Sequence, residues 1–155
     1  MDLFTLVLKR LVQFFLPKAA DSLRNEEEKL DHTFKDERYQ PAFFNLICSV
    51  SKTLSADEGY GREDSRATVE KLVEQGVSEK EATARVEILV SQLDGPNRSE
   101  HLLSFAAALD HSGEWDKAVS VFEIAMQNDN AVSKYARNCI DDIRSKQAGA
   151  NEEQA

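Results

Sequence analysis

Between residues 99 and 132, small and large apolar side chains fall at a fixed helical rhythm. Leu102, Phe105, Ala106 and Leu109 come first, then Gly113 and Trp115, then Ala118, Phe122 and Ala125. Steps of three and four place each set on one face of a helix. The alanines sit where two backbones approach, the larger groups fill the gaps, and the glycine falls in the turn. The pattern predicts two helices closely packed as a hairpin, the unit of stacked binding scaffolds. Nothing in it belongs to a reaction.

The rest of the chain agrees with a helical reading. A chain of 155 residues fits one domain and can bury a real core. Only six glycines and three prolines punctuate it, and strand-favouring runs are few. The fold class expected is all-α, with seven or eight helices in antiparallel hairpins and no strand. Net charge is −9, unevenly spread. Residues 1–24 carry +2 and residues 130–155 are neutral, which leaves −11 on the middle of the chain. Such a body repels phosphate backbones and argues against a nucleic-acid partner.

Residues 3–16 are mostly apolar, with Lys9 and Arg10 inside the run and Pro17 ending it. Fourteen residues with two central charges are too short and too polar to span a bilayer. Asp2 and the absence of a clean small-x-small site speak against a secretory signal. At helical spacing Asp2, Lys9 and Gln13 gather on one side, opposite a wide apolar arc that includes Phe4, Leu8, Leu11 and Phe15. Such a helix, residues 1–17, needs a surface to lie on: the protein's own core, a partner helix, or a membrane interface.

An acidic connecting helix is expected over 18–40, with only Leu23, Leu30 and Phe34 large and apolar. The helical body is expected over 41–147. Pro41 opens its first helix, which buries Phe43, Ile47, Val50 and Leu54 and carries Phe44, Leu46 and Cys48 beside them. A glycine-bearing loop follows, and Asp64 or Ser65 is read as the cap of a helix burying Ala67, Val69, Leu72 and Val73. Gly76 ends that helix, and Ser78 with Glu81 makes a capping box for the next, which buries Ala82, Val86, Leu89 and Leu93. Ser99 is read as the cap of the hairpin's first helix. A last helix turns Tyr135, Ala136, Cys139, Ile140 and Ile143 inward, and residues 148–155 are expected to form a disordered tail.

Residues 99–132 resemble one tetratricopeptide repeat, a helix-turn-helix unit of 34 residues. Leu102 stands at the usual tryptophan position, Phe105 and Ala106 replace the Leu-Gly pair, and Leu109 replaces the tyrosine. Gly113, Trp115, Ala118, Phe122 and Ala125 match the turn and second helix, while Asn130 stands where a proline is usual. The rest of the chain does not repeat the pattern, so a single repeat-like hairpin on a different bundle is expected rather than an array. The resemblance implies a binding face on the hairpin's first helix at Glu100, Leu103, Ala107 and Asp110. Residues 41–93, with Ala56 and Asp57 at the end of the first apolar helix, resemble the small helical domains of the tellurite-resistance B type.

No motif for chemistry stands out. Starting from Asp57, a calcium loop of the EF-hand type would need ligands where Gly59, Gly61 and Thr68 stand. His32, His101 and His111 have no nucleophile in a recognisable spacing, and His111 reads as a turn residue at a helix C-terminus. Cys48 and Cys139 lie in apolar rhythms and read as reduced core thiols. No catalytic residue, cofactor or metal is expected. The chain is read as a non-catalytic cytoplasmic adaptor that binds a protein or peptide, with a basic partner suiting its charge. The second reading is a membrane-peripheral or assembly factor, anchored by residues 1–16. The oligomeric state is left open.

Overall fold

The computed structural model describes Leu30, residues 32–55 and residues 62–154. The apolar segment with Phe4, Leu8, Leu11 and Phe15, and the loop with Asp57 and Glu58, lie outside the described residues. Among those described, helices alone form the fold: α1 Gln40–Ser55, α2 Arg62–Glu74, α3 Glu79–Leu93, α4 Arg98–His111, α5 Trp115–Asn128 and α6 Ser133–Gln154. A helical turn at 32–35 precedes α1, and a 3-10 turn, Asn130–Val132, leads into α6. The all-α expectation holds.

One continuous core runs from Leu30 to Ile143. The most extensive contact is between α4 and α5; α5 also packs on α1 and α6, α2 on α1 and α3, and α3 on α4. The expected core residues of α4 and α5, Leu102, Phe105, Ala106, Leu109, Ala118, Phe122 and Ala125, are all buried, as is Val121. Trp115 is half-buried against this core. Lys117 of α5 stands 5.8 Å above the Phe44 ring of α1 and ties the hairpin to the body.

Both glycine stops form as read. Gly76 and Gly113 have φ of 92° and 79°, a left-handed region that other residues enter at a cost. Gly113 N–H donates to Asp110 O and Glu114 N–H to Leu109 O; Gly76 and Val77 repeat the arrangement on Val73 and Leu72. These paired bonds satisfy the last carbonyls of α4 and α2. Ser78 Oγ accepts from Glu81 N–H and caps α3, whose Ala82, Val86, Leu89 and Leu93 are buried as expected.

Five readings are corrected. The connecting helix does not run through to residue 40: turns occupy 36–39, and beside the expected seam residues Leu30 and Phe34, also Thr33, Tyr39 and Gln40 are buried, with Phe34 packed edge-on against Phe43 and Phe105. Helix α2 starts at Arg62, so Asp64 and Ser65 lie within its first turns; the Asp64 carboxylate instead accepts from Ser49 Oγ of α1 at 2.7 Å. Its buried face is Thr68 and Leu72, while Ala67 and Val73 are exposed. Thr68 is admitted because its hydroxyl donates to Asp64 O one turn back. Helix α4 starts at Arg98, with Asn97 before it and Ser99 inside it, buried. Residues 148–154 continue α6, where Ala148, Ala150, Glu152, Glu153 and Gln154 favour a helix and outweigh Gly149.

Candidate functional site

The binding face expected on α4 depends on what lies beside it. Leu102, Phe105, Ala106 and Leu109 turn that helix inward, which sets Glu100, Leu103, Ala107 and Asp110 along one flank. Glu100 and Ala107 are exposed, while Leu103 and Asp110 are half-buried. Leu103 therefore contributes its inner edge to the core and its outer edge to the surface.

The neighbour of that flank is α6. A three-residue turn reverses the chain after α4, and the 3-10 turn reverses it again after α5, so α6 returns in the direction of α4 with α5 in contact with both. Lys146 of α6 reaches Asp110 of α4, Nζ to Oδ1 3.3 Å and to Oδ2 3.4 Å. The two residues stand 36 apart in sequence, each about four turns into its helix, as parallel neighbours require. Lys146 also pairs with Asp142 one turn back, at 3.0 Å. These carboxylates hold the ammonium above its ordinary pKa, the bond to Asp142 contributing most. At the next position Gln147 Nε2 donates to Asp116 Oδ1 at 2.9 Å and fixes α6 to the start of α5.

Since Ala136, Ile140 and Ile143 turn α6 inward, the flank that carries Lys146 also carries Tyr135, Cys139 and Asp142. Tyr135, expected in the core, is 59% exposed. The seven-residue rhythm from Ala136 to Ile143 already fills the core side of α6, and Tyr135 falls a quarter turn away. The neighbouring Cys139 thiol raises the pKa of the Tyr135 hydroxyl above the ordinary value. Cys139 and Cys48 are free and half-buried, and burial pushes the Cys48 thiol up.

The result is a two-walled face. Glu100, Leu103, Ala107 and Asp110 form one wall; Tyr135, Cys139, Asp142 and Lys146 form the other. It offers an apolar strip between carboxylates, with Lys146 bridging the walls at one end. The α6 wall was missed in the sequence because Tyr135 and Cys139 were assigned to the core. The signal that finds it is an offset near 34 residues from Asp110, which lands in the turn of α6 that bears Lys146.

Elsewhere, a cleft of about 110 Å³ lies between α1 and α2, lined by Asn45, Ser49, Asp64, Thr68 and Lys71 among others. That is well below the roughly 300 Å³ at which small-molecule sites begin. At the start of α4, Arg98 is half-buried, and burial lowers its pKa. His111 is the exposed last residue of α4. Among the described residues no group of three or more His, Cys, Asp or Glu side chains could hold a metal ion, and no helix is long and apolar enough to cross a membrane.

No family model, curated protein or solved structure matches this chain.

Proposed function

We propose that this chain is a non-catalytic interaction module that binds a peptide or protein segment on the face between α4 and α6. The observation that carries the reading is the Lys146–Asp110 pair, which sets α6 beside α4 in parallel and leaves an exposed strip with Ala107 and Tyr135 on opposite walls. A helical hairpin followed by a third helix, at an offset close to 34 residues, is the geometry of a tetratricopeptide unit with its closing helix. The face of two parallel helices is where such units hold an extended or helical ligand. Glu100, Asp110 and Asp142 against the single cation Lys146 favour a ligand with basic residues at its edges.

The test uses a fluorescent 16-residue amphipathic peptide with apolar residues at steps of three and four and flanking lysines, titrated against the full chain at low salt. Binding is expected to weaken on the order of tenfold or more in Ala107→Glu and in Tyr135→Glu, and to be unchanged in Glu74→Gln on the distant α2. Absence of binding, or equal binding by all four proteins, overturns the reading.

A further inference from the structure

We propose that Lys146 is a built-in competitor on the α4–α6 face: its ammonium fills a seat between the Asp110 and Asp142 carboxylates that an arginine of the bound peptide takes over. This rests on reading that face as the binding surface.

The first support is convergence. Asp110 stands on α4 and Asp142 on α6, yet both carboxylates aim at one point. Lys146 Nζ lies 3.3 and 3.4 Å from the two oxygens of Asp110 and 3.0 Å from Oδ2 of Asp142. Two negative charges face one positive charge there, so the seat keeps an unmatched negative charge. Among the described residues no second cation pairs with either carboxylate.

The second support is shape. The nearly equal distances to its two oxygens mean that Asp110 meets the cation edge-on. An ammonium is a point charge and uses such an edge poorly, whereas the planar fork of a guanidinium donates one bond to each oxygen. A peptide arginine therefore fits Asp110 better than Lys146 does. The seat also has a fixed place on the face. Asp110 follows Leu103 by seven residues, two helical turns or about 10 Å. A helical ligand thus carries its arginine about two turns from the apolar group that meets Leu103.

The third support is that Lys146 can leave without taking its wall with it. Lys146 and Asp142 are both exposed, so their pairing contributes little to stability. The inward turn of α6 is fixed instead by Ala136, Ile140 and Ile143, and Gln147 Nε2 holds the helix to Asp116 of α5. On the other wall the half-buried Asp110 follows directly on the buried Leu109. Both carboxylates thus keep their places when the ammonium swings into solvent on its flexible stem.

Fluorescence anisotropy of the full chain with two peptides reads the competition. Both are the amphipathic probe peptide, its flanking lysines replaced by arginine in one and by the uncharged isostere citrulline in the other. The ratio of their dissociation constants, citrulline over arginine, is expected to exceed one in the native chain. It should rise about threefold in Lys146→Met, where nothing competes for the seat, and fall below the native value in Asp110→Asn. Arg144→Met removes an exposed cation from the other side of α6 and should leave the ratio as it is. An unchanged or lower ratio in Lys146→Met overturns the proposal, as does a native ratio in Asp110→Asn. An equal rise in Arg144→Met also overturns it, since the gain then belongs to net charge alone. If both peptides bind and Tyr135→Glu weakens both, but the ratio ignores Lys146, the proposal fails while the binding reading stands; if neither binds, both fail. Should Lys146→Met lose its helical circular dichroism, Lys146→Gln carries the comparison. Loss of the fold in both variants overturns the proposal, because Lys146 is then a structural brace.

Discussion

Phe34 meets Phe105 edge-on, ring centroids 5.1 Å apart and planes at 61°, and so joins a segment outside the six long helices to the hairpin that organises the fold. Beside this contact the buried Gln40 uses both amide hydrogens: Nε2 donates to Phe34 O and to Ser112 Oγ, each at 2.9 Å. Residues 30–40 are thus held by an apolar contact and by a polar one that leaves no donor stranded.

Phe34→Ala is expected to destabilise the protein by about 3–5 kcal/mol, the usual cost of emptying a fully buried phenylalanine site. Phe34 is 2% exposed and contacts both Phe43 and Phe105. Urea unfolding at neutral pH measures it. A loss under about 1 kcal/mol would mean that residues 30–40 are not part of the cooperative unit.

Gly76→Ala and Gly113→Ala should each cost about 1–2 kcal/mol through the backbone alone, because a Cβ at either position meets nothing within 4 Å. Asparagine, which tolerates the left-handed region better, should cost less than alanine at both positions. Thermal unfolding of the four variants orders them; a harmless alanine at Gly113 would contradict the turn described between α4 and α5.

Stability should fall on the alkaline side. Burial raises the pKa of Cys48 above 9.0 and of Tyr39 above 10.0, with Glu81 adding to the effect on Tyr39. Both groups fold best uncharged, so their contribution is complete below about pH 9 and is lost as pH rises through the ordinary and then the raised values. Lys146, held protonated by Asp142 and Asp110, changes in the same direction, but it is exposed and contributes little. The urea midpoint of the native chain should therefore drop between pH 9 and 11. The drop should be smaller in Tyr39→Phe combined with Cys48→Ala, and an equal drop in both proteins would show that these two groups do not govern it.

The hairpin of α4 and α5, the glycine stops and the Ser78 cap were legible because each is local: a rhythm of three and four, or a residue type suited to one backbone conformation. The burial of Tyr39 and Gln40 was not, because their partners Glu81 and Ser112 lie 42 and 72 residues along the chain. Tyr135 misled in the opposite sense, as an apolar ring one position off a core stripe. In the candidate face, the α4 wall was read through resemblance to a known repeat. The α6 wall appeared only when Lys146 was seen to reach Asp110, a cross-helix pairing that the spacing along one helix cannot reveal.

The bond from Gln40 to Ser112 spans 72 residues, and that distance has a meaning during synthesis. At about 5–20 residues per second, Gln40 leaves the ribosome roughly 4–14 s before its partner. For most of that interval Phe34 has no Phe105 to meet it. The α2–α3 pair can form from neighbouring residues meanwhile, but the first part of the core is sealed only when the last hairpin arrives. A chain cut short before Phe105 would leave Phe34 without its partner ring, a surface for chaperones to hold or for other nascent chains to stick to.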